Sequence, residues 1–225
     1  WFKVPESTDG QADNSIDYSG SFTIITGLAL LTYGFLKIPE NGLNNVQVYL
    51  SIGAGILALI LFILIEKKSS HPMMPLDLFK NKTFNGANLL TFFLYAGLFA
   101  GMLFLILNMV QIQGYSQLQA GLTILPFTFL IIIFSRWSGS LSDKYGSRRF
   151  LIGGPLLVAT GFLLLSFVKD SNGPSHYWTT YFPGIFIFGL GMSLTVTPLT
   201  STVMGALPNH FSGTASGVNN AFSRI

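Results

Sequence analysis

The sequence predicts an all-α, polytopic helical membrane protein, and three observations lead to that fold class. Half of the 225 residues are hydrophobic and only 9% are charged, whereas roughly a quarter of an ordinary globular chain is charged. The apolar residues form long uncharged runs without the alternation typical of barrel strands. Several runs reach the roughly 20 residues that a helix needs to cross a bilayer. Helices are expected because a backbone in lipid must satisfy its own hydrogen bonds.

The composition excludes several other classes of protein. A mean hydropathy of +0.55 is too high for a disordered chain. The absence of cysteine excludes a disulfide scaffold and a thiolate zinc site. A net charge of +3 would suggest nucleic acid in a soluble protein, but here the basic residues are expected in loops between spans. We therefore expect no metal ion, no cofactor and no nucleic-acid partner.

Five uncharged runs are predicted to supply six membrane-crossing helices. The uncharged stretch from Thr83 to Ser135 is long enough for two crossings, and polar residues 111–119 in its middle predict the turn between them. The six helices are predicted over about residues 18–36, 48–65, 85–111, 120–141, 150–168 and 181–207. A seventh helix begins at Gly213. Because the chain opens with Trp1 and ends inside this helix, we interpret it as a fragment.

The distribution of lysine and arginine predicts the orientation in the membrane. If residues 1–17 are cytoplasmic, only Lys37 and Lys169 fall on the outside. The cations that fall on the cytoplasmic side are Lys3, Lys67, Lys68, Lys80, Lys82, Lys144, Arg148 and Arg149. This agrees with the excess of cations in cytoplasmic loops of membrane proteins.

Glycines and prolines inside the runs predict helix contacts and kinks. Small residues allow close backbone approach in lipid, and the glycines expected at contacts are Gly97, Gly101, Gly184, Gly189, Gly191, Gly213 and Gly217. Pro126 and Pro198 are expected to kink their helices or free a carbonyl. We interpret a break near Pro198 as one way to expose Thr195, Thr197 and Thr200 to a central cavity.

Residues 139–149, between the fourth and fifth predicted helices, carry the most specific pattern. Its members are Gly139, Leu141, Asp143, Lys144, Gly146, Arg148 and Arg149. Gly139 permits close approach to a neighbouring helix, and Gly146 permits a tight reversal with positive φ. Asp143 is placed to cap the helix that starts near Ser147, or to face the positive end of that helix's dipole. A generic cytoplasmic loop would explain the three cations but not the two glycines and the aspartate.

This pattern resembles the signature loop of the major facilitator superfamily, G-x-L-x-D-R/K-x-G-x-R/K-R/K, at every position. Residues 72–84, 114–126 and 213–221 resemble the fourteen-helix drug:proton antiporter branch. The resemblance implies that the chain holds about helices seven to thirteen of a multidrug efflux transporter, whose first six helices are missing. It also implies secondary active export of amphipathic or cationic organic compounds by proton antiport and alternating access.

The resemblance further implies a division of the chain. Residues 1–17 would be a cytoplasmic segment, and residues 18–65 an extra helix pair inserted between two six-helix halves. Residues 66–84 would be a cytoplasmic loop. Residues 85–225 would be the second-half bundle, truncated in its last helix.

Polar residues in two predicted helices are candidates for the lining of a substrate cavity. The resemblance implies that residues 85–111 and 181–207 line it, and their candidates are Asn88, Tyr95, Asn108, Gln111, Thr195 and Thr197. Among many aromatic rings, such groups suit amphipathic or cationic organic molecules. The alternative for each is an interhelical hydrogen bond. The expected partners are the lipid bilayer, a small organic substrate, a coupling proton and the missing first-half helices.

The predicted spans contain no Asp or Glu. A carboxylate for the coupling proton is therefore expected in the missing half. Arg136 is interpreted either as extending to the cytoplasmic interface or as pairing with a carboxylate of that half.

Other functions remain open at this point, including transport of a specific metabolite or lipid. An intramembrane enzyme is the main alternative from another class. Histidine-box oxygenases need several clustered histidines, but His71, His176 and His210 lie in separate loops. An intramembrane serine protease would need a Gly-x-Ser motif and a histidine in another span. Here Thr214 stands in place of the glycine before Ser216, and no histidine lies in a predicted span. A channel or receptor is disfavoured by the signature loop, which suits a protein that alternates between two faces.

Overall fold

The computed structural model describes residues 17–69, 72–169 and 173–224, and within them it is all α-helical, with no strand. Most of the predicted cytoplasmic segment 1–17, with Lys3, lies outside the described residues, as does His71. The helices are α1 (Tyr18–Asn41), α2 (Val46–Lys68), α3 (Lys82–Gln111), α4 (Gln117–Thr123), α5 (Leu125–Tyr145), α6 (Ser147–Ser166), α7 (Tyr177–Gly205) and α8 (Ser212–Arg224). Short 3-10 turns occupy Leu76–Lys80, Pro174–His176 and Asn209–Phe211.

The described residues contain six helical segments long and apolar enough to cross a membrane, which confirms the predicted fold class. Five of the segments include one of the helices α1, α2, α3, α6 and α7, and the sixth combines α4 with α5. Pro126 lies in the first turn of α5, where its missing N–H removes no helical hydrogen bond. Several helices extend beyond the uncharged runs because a helix continues into the polar interface after the hydrocarbon ends. Thus α2 includes Glu66 and ends at Lys68.

The chain forms two compact units, and the first covers Trp1–Asn81. Its helices α1 and α2 pack in antiparallel fashion along two buried glycines of α1 that are seven residues apart, Gly27 and Gly34. A Cβ at Gly34 would lie 2.6 Å from the Ile52 side chain. The small residues therefore let the two backbones approach closely, which favours packing in lipid.

The second unit, Lys82–Ile225, is organised around α7. This helix packs against α3, α5, α6 and α8. Its Phe188 stacks on Phe127 of α5, with ring centroids 5.1 Å apart, and contacts Phe162 of α6 at 4.6 Å. The core of this unit therefore lies along α7.

Glycines form the closest contact between α6 and α7. A Cβ at Gly161 of α6 would lie 2.6 Å from the backbone nitrogen of Phe188, and one at Gly191 of α7 would lie 2.6 Å from the backbone nitrogen of Val158. Gly184 faces α6 at Leu165. The helices can therefore approach only because side chains are absent at these positions.

The other glycines predicted at contacts divide into two groups. Gly189 faces α5, and Gly101 faces the Phe162 ring. At Gly97, Gly213 and Gly217 a Cβ would meet nothing within 4 Å among the described residues, so the structure shows no helix contact there. Their spacing resembles that of the contact glycines, but no described helix covers the faces on which they lie.

Candidate functional site

The loop at residues 139–149 makes a reversal of a single residue between α5 and α6. Gly146 has a φ of +84° and its N–H bonds the Ser142 carbonyl at 2.8 Å. This conformation strongly favours glycine. The hydroxyls of Ser142 and Ser147 are 3.0 Å apart across the turn. The reversal leaves Leu141, Lys144, Arg148 and Arg149 exposed beside Asp143.

Asp143 does not cap α6, so this interpretation is wrong. The residue before α6 is Gly146, which offers no side-chain cap, because α5 continues through Asp143 to Tyr145. The Asp143 carboxylate is exposed in the last turn of α5. A negative charge is unfavourable at the C-terminal end of a helix dipole. The charge therefore does not stabilise its own helix.

The contact between α5 and α7 lies immediately before this loop in sequence. A Cβ at Gly139 would lie 3.0 Å from the Thr197 methyl group. The Ser138 hydroxyl donates to the Leu194 carbonyl at 3.0 Å, and Ser138 is fully buried. Pro198, four residues after Leu194, has no N–H for that carbonyl. Ser138 was not among the sequence candidates, since no local pattern indicates its partner.

The predicted break near Pro198 is wrong, because α7 is helical from Tyr177 to Gly205. Thr195 is buried and donates to Gly191 at 2.6 Å, and Thr200 donates to Val196 at 3.0 Å. Ser138 satisfies the carbonyl that the proline frees, so α7 need not unwind.

Asn88 takes part in a buried polar contact between α3 and α8. Its amide nitrogen donates to the Phe84 carbonyl at 2.9 Å, and its side-chain oxygen accepts from Asn219 at 3.1 Å. Asn219 also donates to the Thr91 hydroxyl at 2.8 Å. This is the interhelical hydrogen bond weighed as the alternative to a cavity role. Thr91 and Asn219 were missed, although Asn219 belongs to the stretch that resembles the drug antiporters.

Asn108 lies beside a cavity of about 310 Å³. Its side-chain oxygen accepts from the Tyr181 hydroxyl at 2.7 Å. The other lining residues are mostly apolar and come from α3, α6 and the segment after α6: Gly101, Phe104, Leu105, Phe162, Leu165, Ser166 and Val168. The cavity therefore combines aromatic rings with one amide and two hydroxyl groups.

The remaining candidates do not join this cavity. Tyr95 is half-buried and its ring lies 6.2 Å from that of Phe99, while Gln111 is exposed. Thr195 faces Gly154 of α6, and Thr197 faces α5. The structure thus places four of the six predicted residues, Asn88, Asn108, Thr195 and Thr197, at different helix contacts and does not bring the six together. Arg136 is exposed on α5 and has no hydrogen bond or ion pair with a described residue.

Glu66 is a buried carboxylate that the uncharged runs did not include. It is 4% exposed, and one of its oxygens accepts from the Met74 N–H at 3.2 Å. Its other oxygen has no hydrogen-bond partner among the described residues. The predicted run ends one residue earlier, at Ile65, so Glu66 was treated as part of the loop.

The sequence of the chain matches a family model and several known proteins. The family model of the Major Facilitator Superfamily matches residues 15–225. The multidrug resistance protein Stp of Mycobacterium tuberculosis is 30% identical over 97% of the chain and 40% of its own length. The multidrug transporter protein MdtP of Bacillus subtilis is 32% identical over 94% of the chain and 38% of its own length.

A quinolone resistance protein, NorB of Staphylococcus aureus, is also similar. It is 28% identical over 94% of the chain and 45% of its own length. The chain thus spans about two fifths of the length of the relatives that it matches.

Proposed function

Because this chain belongs to the Major Facilitator Superfamily, a family of multi-pass integral membrane transporters, we propose that it is part of a secondary active exporter of amphipathic or cationic organic compounds. The observation that carries the proposal is the match, over nearly the whole chain, to relatives named for multidrug resistance and multidrug transport. The complete signature loop at residues 139–149 supports it.

The side chains inside the second unit suit such compounds. The buried polar residues of this unit, among those described, are neutral: Asn88, Thr91, Gln113, Thr123, Ser138, Ser142, Ser193 and Thr195. Aromatic faces attract organic cations without requiring a buried carboxylate. The cavity beside Asn108 has about 310 Å³, a volume at the lower end of small-molecule pockets.

Transport would require more of the protein than these residues. In our proposal, α1 and α2 are the extra helix pair expected over residues 18–65, the connection between α2 and α3 is the cytoplasmic loop expected over residues 66–84, and residues 85–225 are the second-half bundle. First-half helices complete the substrate pathway and supply the carboxylate for the coupling proton. The signature loop faces the cytoplasm, as the distribution of cations favours. Alternating access moves the two halves around a central site.

The proposal is tested with the intact protein in inside-out membrane vesicles. Ethidium, a flat aromatic cation, should accumulate in vesicles with an acidic interior, and collapse of the pH gradient with nigericin should stop the accumulation. The aromatic anion 8-anilinonaphthalene-1-sulfonate is the comparison substrate and should not accumulate. If the protein moves neither ethidium nor any other organic cation, the proposed substrate class is wrong, and a specific metabolite or lipid becomes the favoured substrate. Accumulation that survives nigericin would overturn proton coupling.

A further inference from the structure

The contact between Ser138 and Leu194 replaces a hydrogen bond that α7 cannot make for itself. In an α-helix the carbonyl of one residue accepts the N–H of the residue four positions later. For Leu194 that residue is Pro198, which has no N–H. The hydroxyl of Ser138, on α5, lies 3.0 Å from the Leu194 oxygen and donates to it. The freed carbonyl is thus satisfied by a different helix.

The surroundings make this donor difficult to replace. Ser138 is fully buried, as is Pro198. At Gly139, the next residue, a Cβ would lie 3.0 Å from the Thr197 methyl group, so α5 and α7 are close together here. The hydrogen bond itself is partly buried. Because a carbonyl shielded from water is unfavourable without a donor, loss of the hydroxyl leaves a poorly satisfied group.

The two other prolines in the helix interiors of this unit lack such an arrangement. Pro155 frees the Leu151 carbonyl and Pro183 frees the Thr179 carbonyl, each four residues earlier. No hydrogen bond from a described side chain reaches either carbonyl, and Thr179 is exposed. The pairing of a buried hydroxyl with a proline-freed carbonyl therefore distinguishes the α5–α7 contact.

We propose that Ser138 is a positioning residue that holds the signature-loop helix α5 against a bending point of α7 at Pro198. This inference rests on the proposed transport function and deepens it. A proline weakens its helix and permits bending. A bend of α7 at this point has to move or break the Ser138 bond, which lies five residues before Asp143. This hydrogen bond therefore couples movement of α7 at Pro198 to movement of the signature loop, in addition to the packing of α5 on α7.

A double-mutant cycle in the intact transporter tests the coupling. Ser138→Ala removes the donor and should shift the folding equilibrium toward the unfolded state by on the order of tenfold. Pro198→Ala supplies a backbone N–H that can bond the Leu194 carbonyl. In that background Ser138→Ala should therefore cost little. Thermal aggregation of the purified protein reports these differences without any substrate.

Transport measurements separate a positioning role from a purely structural one. Pro198→Ala should keep normal membrane abundance but lower the maximal transport rate at an unchanged KM, because α7 loses its bending point. The control is Ser193→Ala. Ser193 is equally buried but donates to Leu190 within its own helix at 2.8 Å, so it should not couple to Pro198.

Three results would overturn the inference. The first is an equal loss of stability from Ser138→Ala with Pro198 in place and in the Pro198→Ala background. The second is coupling of Ser193→Ala to Pro198→Ala as strong as that of Ser138→Ala. The third is a normal transport rate in Pro198→Ala. The transport rate of Pro198→Ala tests the bending point even if Ser138→Ala fails to fold, because that measurement does not use the Ser138 variant. If Ser138→Ala and Pro198→Ala are coupled in stability but the protein moves no organic cation, the proposed function is wrong and the role of the Ser138 hydrogen bond in joining α5 to α7 stands.

Discussion

Replacing Gly161 with alanine is expected to remove much of the folded protein from the membrane. The new Cβ would lie 2.6 Å from the backbone nitrogen of Phe188 and 2.7 Å from its Cα. Because backbone atoms cannot rotate away, α6 and α7 must separate. Such overpacking typically costs about 1 to 3 kcal/mol. A clash with backbone atoms belongs to the upper part of that range, which exceeds the roughly 1 kcal/mol that alanine contributes in a helix relative to glycine. Membrane abundance and thermal aggregation measure the loss.

Gly153→Ala is the matched control on the same helix. A Cβ at Gly153 meets no described atom within 4 Å. The intrinsic preference of alanine for the helix should leave this variant as stable as the parent or slightly more stable. Equal stability of Gly161→Ala and Gly153→Ala would contradict the close contact between α6 and α7.

Replacing Asp143 with asparagine in the intact transporter is expected to reduce transport at normal abundance. The carboxylate is exposed and does not cap α6, so its removal should not destabilise this unit. We propose that it pairs with a cation or helix terminus of the first half and holds the cytoplasmic side closed. Loss of a charge-assisted contact costs about 1.5 to 3 kcal/mol. That loss shifts an inward/outward equilibrium by more than about tenfold.

A cysteine at Ser140, which is exposed on α5 three residues before Asp143, reports the closed state. Its reaction with a thiol reagent from the cytoplasm should increase in Asp143→Asn. Asp77→Asn is the control, because the exposed ion pair of Asp77 with Lys80 is of a kind that contributes little. Normal transport by Asp143→Asn would refute the role of Asp143 in closing the cytoplasmic side.

The sequence predicted the number and order of the spanning helices because length and apolarity decide them. The match of the family model confirms the resemblance first seen in the signature loop and the location of the chain in a membrane. Helix ends were less predictable, since helices continue into the interface. That is why Glu66 and Asp143 lie inside α2 and α5 rather than in loops.

Contacts between distant residues explain most of what the sequence could not predict. Asn88 bonds Asn219, 131 positions later, and Ser138 bonds Leu194, 56 positions later. No local pattern indicates either pair. The proline at position 198 predicted a freed carbonyl correctly, but the expected break depended on whether another helix supplied a donor. Likewise, Gly161 lies at a helix contact and Gly97 on an open face, and this difference is known only once the neighbouring helices are placed.

In our proposal, these residues form one part of a transporter that works only when joined to its first half. The most direct measurement is ethidium efflux from cells that produce the 225 residues alone, the remainder of the protein alone, or both as separate chains. We expect no efflux from either chain alone and substantial efflux from the pair, because the substrate pathway lies between two halves. Full efflux by the 225 residues alone would contradict the claim, as would inactivity of the assembled pair where the intact protein transports ethidium.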